Sequence, residues 1–424
     1  MSKKSCIFVP DLEEDMFLYF LIIRIAALFG HKKARLLVRG QAQTIPAVQS
    51  QRPNLSSPIW FHAASVGEFE QARPLIERLR ETDSDSPIIV TFFSPSGYEA
   101  RKGYDLADGV YYLPFATRRN ARKWLDAVQP KMAVFVKYEF WPAYLRELAK
   151  RHIPTYSICS IFRKDQYFFR WWGKRQLKLL SGMTHIFVQD EASLRLLADH
   201  GVTNCSVAGD TRFDRMNGER MRDEADPQLE PIRRFIAGAE HVIVAGSTWP
   251  EDERLLKQYM ASCEERTRLI LVPHEIDVNH LHWIFNLFEG RTMRFSVDTV
   301  YSPEPIIVPM PAVMVVDTMG LLSKIYRFGD VAYIGGGFGV GIHNTIEAAS
   351  WGMPVIFGPN YDHFREAKGL IAAGGARSVK NYRELETAMN HALSDHQAIG
   401  AKAAEYVRSE LGATEKIYNE IFKS

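Results

Sequence analysis

From Ile59 onward the chain alternates short, β-branched apolar runs with longer stretches of helical periodicity, and it does so in two series. A strand buried on both faces must be apolar along its length, and parallel strands need a crossover helix between them. The alternation therefore predicts parallel sheets built from βαβ units. The first series has strand candidates at Ile59–Phe61, Ile88–Phe92, Met132–Val136, Thr155–Ile158 and Ile186–Val188. The second has His241–Ser247, Leu269–Pro273, Ala312–Asp317, Val331–Gly336 and Pro354–Gly358. Between them, Asp214 to Asp226 is polar and charge-dense, the mark of an interdomain connection. At 424 residues the chain exceeds one ordinary core and suits two. The expected fold class is α/β, with two doubly wound, Rossmann-like domains at 41–225 and 226–424 facing a central cleft. The last helical pattern, from about Gln397, is followed by no strand; it could cap either domain and is assigned with 226–424.

Residues 1–40 stand outside this pattern. Met16–Phe29 is strongly apolar but shorter than the ~20 residues needed to span a bilayer, and Arg24 interrupts it. Acidic Asp11, Glu13, Glu14 and Asp15 precede it, and basic His31, Lys32, Lys33, Arg35 and Arg39 follow, the reverse of a signal peptide. This polarity predicts a helix lying in the membrane interface with the body of the protein in the cytoplasm. The alternative is a core helix of the first domain. A second amphiphilic stretch, IFRKDQYFFRWWGKRQLK, mixes aromatics with bases and is read the same way. Its other readings are single-stranded nucleic-acid binding by stacking, or core aromatics beside solvated lysines.

Lys and Arg number 52 against 50 Asp and Glu, which excludes a general nucleic-acid binder. Cys6, Cys159, Cys205 and Cys263 have no metal-ligand spacing, so no structural zinc and a reducing compartment are expected.

VAYIGGGFGVGIHNTIEAASWG runs from a strand through five glycines toward a helix near Asn344. Such a turn lets backbone approach an anion closely, and a helix start attracts phosphate. It lacks the Lys of a P-loop and departs from GxGxxG, which disfavours ATP-type and dinucleotide sites. Asn344 and Glu347 share a helical face, where Glu347 can accept from a ribose diol. The plain alternative is a glycine-rich turn with a capping Asn. In the first half, IWFHA leads through a small-residue turn to Glu68 at a helix start, a general-base candidate or simply a favourable dipole partner. Glu139 lies beyond the strand AVFV, where α/β sheets present functional groups. Arg212, in VAGDTRFDR, offers a fixed positive charge to a phosphate or carboxylate.

Together HAASVGEFE, KYEFWP, GDTRFD, GSTWPEDE and GGGFGVGIHNTIEAASWGMPVIFGP resemble the Kdo transferases, which add 3-deoxy-manno-octulosonic acid to lipid A precursor. The resemblance spans nearly the whole chain. It implies a GT-B fold, with acceptor-binding first and CMP-Kdo-binding second domains. It implies Glu68 as proton acceptor and Glu139 and Arg212 as transition-state stabilisers. It places CMP contacts at Pro273 and His274, at Met319, Gly320 and Leu321, and at Asn344, Thr345, Ile346 and Glu347. Ser247, Gly336 and Gly337 join them. Arg212 stands where a lysine is usual, Pro-His-Glu replaces Pro-Arg-His, and Leu321 replaces an acidic residue. The implied reaction is transfer of Kdo from CMP-Kdo to lipid IVA in lipopolysaccharide synthesis, inverting, with neither metal nor cofactor, at the cytoplasmic face of the bacterial inner membrane. The rival readings are another GT-B glycosyltransferase or an epimerase using a UDP-sugar, and a noncatalytic, membrane-bound nucleotide sensor.

Overall fold

The computed structural model describes residues 13–51, 56–170, 173–216, 226–289, 292–297 and 311–423. Cys6, Asp11, Trp171, Trp172 and most of the connection expected between Asp214 and Asp226 lie outside the described residues. The chain divides into two compact units, Ser5–Asp214 with Leu411–Ser424, and Arg215–Glu410.

The first unit carries β1 (Ile59–Ala63), β2 (Ile88–Phe92), β3 (Gly109–Tyr112), β4 (Met132–Val136), β5 (Thr155–Ser160), β6 (His185–Val188) and β7 (Cys205–Val207), in the order β3-β2-β1-β4-β5-β6-β7. The second carries β8 (His241–Thr248), β9 (Thr267–Pro273), β10 (Thr292–Arg294), β11 (Val313–Val315), β12 (Val331–Ile334), β13 (Val355–Phe357) and β14 (Ala376–Ser378), in the order β10-β11-β9-β8-β12-β13-β14. The pairings that link neighbouring strands are parallel in both sheets. Every residue of β1, β2 and β9 is buried, which is why these strands read as unbroken apolar runs. In each sheet the winding reverses once, between β1 and β4 and between β8 and β12. Loops diverge from such a switch point and open a crevice at the carboxyl ends of the strands.

Helix α1 (Glu13–Leu28) is followed by α2 (Lys32–Gln51) and, after β1, by α3 (Val66–Thr82). The boundary expected at residue 40 falls inside α2, which buries Leu37, Gln41, Thr44 and Val48. Gln41 Nε2 donates to Leu113 O at 2.7 Å and Thr44 Oγ1 to Tyr112 O at 3.0 Å, so α2 is part of the first unit. Helix α1 divides its surface between two environments. Phe20 is buried against Phe115, ring centroids 4.3 Å apart, and the Arg24 guanidinium lies over the same ring. Leu21, Ile22, Ile25, Leu28 and, just beyond the helix, Phe29 are exposed. Among the described residues, no helix is long and apolar enough to cross a membrane.

In the stretch after β5, two of the aromatics expected at the membrane surface lie in the core instead. Phe162 and Phe168 are buried with Phe140, their rings 5.7–6.0 Å apart, while the bases Lys164, Arg170, Lys174, Arg175 and Lys178 face solvent. Burying two phenylalanines removes more apolar area from water than a surface stripe does, so the rings went inward.

The helix Ala413–Phe422 also departs from its expected domain. Ile417, Tyr418 and Ile421 join Phe69, Leu75, Ile76 and Leu79 of α3 in one buried cluster beneath β1 and β2. The Asp214 carboxylate accepts from Gly412 N–H at 2.6 Å and from Thr414 N–H and Oγ1–H at 2.7 Å, fastening this helix start to the first unit.

Candidate active site

The switch point of the first sheet brings Glu68 and Glu139 together. After β1 the backbone turns at Ser65, the N-cap of α3, and Glu68 folds back so that Oε2 accepts the Ala64 N–H at 2.6 Å. Glu68 is half-buried. Burial, then the neighbouring Glu139 carboxylate, push its carboxyl from the ordinary 4.5 up to about 8, against the pull of Lys137, the Ala64 amide and His62. Glu139 lies in the turn after β4 and is buried; burial raises it to about 7, while the hydrogen bond from Trp141 Nε1 at 2.7 Å pulls the other way. Two adjacent carboxyls that both resist ionisation are suited to holding and passing protons near neutral pH.

Lys137 was not singled out in the sequence. It sits between β4 and Glu139 with φ +55°, a left-handed conformation uncommon for a side-chain-bearing residue, and Ser160 Oγ donates to its carbonyl at 3.0 Å. From there it acts electrostatically on both Glu68 and Asp210. Arg212 arrives with a partner: its Nε and Nη2 grip the Asp210 carboxylate at 3.0 and 2.6 Å. Burial would raise Asp210, but the guanidinium overcomes it and holds the carboxyl at about 2. Gln71 Nε2 of α3 donates to the same carboxylate at 3.0 Å, tying this corner to the helix that carries Glu68. Asp210, invisible as a site residue in the sequence, thus sets the orientation of Arg212. His62, buried in β1, is a further residue that sequence reasoning passed over; its signal was a lone histidine inside IWFHA.

In the second unit the switch point gathers Ser247, Pro273, His274, Gly336 and Gly337 from the ends of β8, β9 and β12. Ser247 has φ +55°, and a Cβ on Gly335 would come within 2.3 Å of its carbonyl oxygen. A Cβ on Gly337 would overlap the Gly358 backbone at 2.6 Å. The glycines are therefore needed for close chain packing. The Gly335, Gly336, Gly339 and Gly341 amides are taken up within the fold, by Gly246 O, Asp252 Oδ2 and, for the last two, Gly336 O. The expected cradle of glycine N–H groups is to that extent already satisfied. Buried Asp252 also accepts from Trp249 N–H at 3.0 Å and Tyr333 O–H at 2.7 Å, locking the β8 and β12 turns together.

The helix after the glycines is Ile346–Ser350, only five residues, so little macrodipole stands behind it. Asn344 Oδ1 accepts the Ile346 N–H at 3.0 Å and its Nδ2 donates to Glu347 Oε1 at 3.0 Å, which orients the half-buried Glu347. Thr345 and Ile346 are buried. Of the remaining trio, Met319 is exposed, Gly320 has φ +85° and Leu321 is buried, so a ligand there meets backbone and the Met319 side chain. His274 stacks on both Trp249 and His343, centroids 4.9 and 4.3 Å apart, and Trp249 Nε1 donates to His343 Nε2 at 3.2 Å. Trp249 and His343 complete this mouth and were not foreseen.

Residues 32–215 match the family described as 3-deoxy-D-manno-octulosonic-acid transferase (kdotransferase). The chain is similar to 3-deoxy-D-manno-octulosonic acid transferases of Aquifex aeolicus (26% identity, 80% of this chain and 87% of that one), Haemophilus influenzae (26%, 85% and 85%) and Rickettsia bellii (24%, 90% and 89%). In fold it resembles UDP-GlcNAc 2-epimerase from Neisseria meningitidis bound to UDP-GlcNAc, with TM-score 0.61 and 15% identity over 87% of this chain and 100% of that one. A putative UDP-N-acetylglucosamine 2-epimerase from Listeria monocytogenes gives 0.60 and 13% over 86% and 96%. The epimerases share the GT-B architecture of two parallel-sheet domains, whereas the relatives that align along most of the sequence carry the transferase name. Residues 32–215 thus carry the domain of the Kdo transferase family, and the relatives that align along most of the sequence are glycosyltransferases of the same name.

Proposed function

We propose that this enzyme transfers Kdo from CMP-Kdo to lipid IVA by direct displacement with inversion. Glu68 takes the proton from a sugar hydroxyl of the acceptor as that oxygen attacks the anomeric carbon, and CMP departs. The observation that carries this reading is the pairing of Glu68 with Glu139 at the first switch point: a carboxyl held at about 8 is a strong base once ionised, and Lys137 favours that ionisation. Glu139 and the Asp210-oriented Arg212 stabilise charge that develops in the transition state. CMP-Kdo carries one phosphate, so fixed cations and hydrogen-bond donors suffice for the leaving group and the reaction is metal-independent. Glu347, oriented by Asn344, accepts from the ribose hydroxyls.

In this reading the enzyme works at the cytoplasmic face of the inner membrane beside its lipid acceptor; the exposed apolar face of α1, ending at Phe29 and followed by Lys32, Lys33, Arg35 and Arg39, supports it as a surface suited to an anionic bilayer.

Incubation with CMP-Kdo and a tetraacylated disaccharide bisphosphate, read by mass spectrometry of the lipid, tests donor, acceptor and stoichiometry together. Mass gain of one or more Kdo residues, unaffected by EDTA, is the expected result; an unchanged lipid refutes the assignment. A UDP-sugar enzyme on the same fold is the second reading, favoured by the epimerase likeness. Protection from thermal unfolding by UDP and not CMP supports that alternative.

A further inference from the structure

His62 is fully buried on β1, and the reaction proposed above gives it no task. Its surroundings dictate its protonation. Thr91, its register partner on β2, places its carbonyl oxygen 3.1 Å and its Oγ1 2.9 Å from His62 Nδ1. Thr91 Oγ1 accepts from Trp60 Nε1 at 2.8 Å and lies 3.3 Å from Phe61 O, to which it donates. A carbonyl oxygen only accepts, so Nδ1 carries the ring proton. On the other side, Trp141 Nε1, a donor only, stands 3.0 Å from His62 Nε2 and 2.7 Å from Glu139 Oε2. A Trp N–H aimed at Nε2 requires a lone pair there. His62 Nε2 and Glu139 Oε2 are themselves 3.3 Å apart. Two buried lone pairs at that separation repel unless a proton lies between them.

We infer that this proton resides on Glu139, and that His62 is a positioning residue which accepts it and so keeps Glu139 uncharged. The inference rests on the reading of Glu68 as base, and it explains how two neighbouring carboxyls divide their work. With Glu139 neutral, the one negative charge that opposes ionisation of Glu68 is removed, and Glu68 becomes the base while Glu139 serves as a neutral hydrogen-bond donor. The other groups that face this corner are Lys137, which acts on Glu68, and Tyr19 of α1, whose hydroxyl feels Glu139. Trp141 supplies the remaining polar contact.

Infrared difference spectra of the whole protein at pH 7 test the proton directly. Glu139→Gln is expected to remove a protonated-carboxyl C=O band; removal of carboxylate bands instead overturns the inference. His62→Gln places an amide N–H where Nε2 accepted, which favours the Glu139 anion. The acid limb of kcat/KM then moves to higher pH, with about a tenfold loss at pH 7 that recovers in alkaline buffer. A uniform loss at every pH marks a merely structural role and also overturns it. If His62→Gln does not fold, the wild-type and Glu139→Gln spectra decide alone. Full turnover by Glu68→Ala with the acid band intact refutes the base and leaves the shared proton standing.

Discussion

Replacing Glu68 by Gln removes an ionisation that burial above all opposes, and its effect on stability has a definite sign. The amide oxygen still accepts from Ala64 N–H, so the local turn is kept. In the wild type the folded carboxyl titrates at about 8 against an ordinary 4.5. Between those values the folded chain retains a proton that the unfolded chain has released, so stability falls as pH rises through the window and levels off above it. At roughly 1.4 kcal/mol per pH unit, the full gap sets an upper bound of about 5 kcal/mol. Glu68 is half-buried, and water at its exposed edge screens part of the cost, so about 1.5–2.5 kcal/mol is expected. For a unit of this size that corresponds to roughly 4–8 °C in Tm. Glu68→Gln should therefore melt with the wild type at pH 5 and above it by that margin at pH 9, while transfer is lost at both. Thermal unfolding followed by tryptophan fluorescence across this range provides the measurement. A Tm difference that does not change with pH refutes the claim that Glu68 resists ionisation.

Three further outcomes follow from other parts of the molecule. Gly337→Ala sets a methyl 2.6 Å from the Gly358 backbone and should cost about 1–3 kcal/mol of stability, read as a lower melting temperature. Glu347→Gln and Asn344→Ala should each raise KM for the nucleotide donor about tenfold with little change in kcat, separable by steady-state kinetics and by calorimetric titration with CMP. Replacing Leu21, Ile22 and Ile25 together with Ser should abolish sedimentation with anionic vesicles while changing Tm by less than about 2 °C, because these side chains are already exposed. Retained vesicle binding sinks the membrane role of α1.

The legibility of the strands follows their burial. Ile88–Phe92 and Met132–Val136 match the observed β2 and β4 residue for residue, and the other interior strands differ by one to three residues at their ends. The strands with no expectation, β3, β7, β10 and β14, are the four edges of the two sheets. An edge strand has one ladder and partial cover; CSV, TMR and ARS carry no continuous apolar run to betray them, and GVYY opens on a glycine and is only half covered. The site divides in the same way. Glu68 and Glu139 were readable because each follows a strong strand. Lys137 depends on a left-handed turn, His62 on register with Thr91, and the Trp249–His274–His343 stack on three turns that meet only in the folded sheet. Nothing in a linear pattern encodes such meetings.

The anchoring of Ala413–Phe422 bears on how the protein is made. Asp214 and Thr414 are 200 residues apart, and synthesis proceeds at about 5–20 residues per second. For roughly 10–40 s on the ribosome, the α3 face that Ile417, Tyr418 and Ile421 will cover remains open to water and to chaperones. The half of the enzyme that carries Glu68 and Glu139 is thus translated first and finished last.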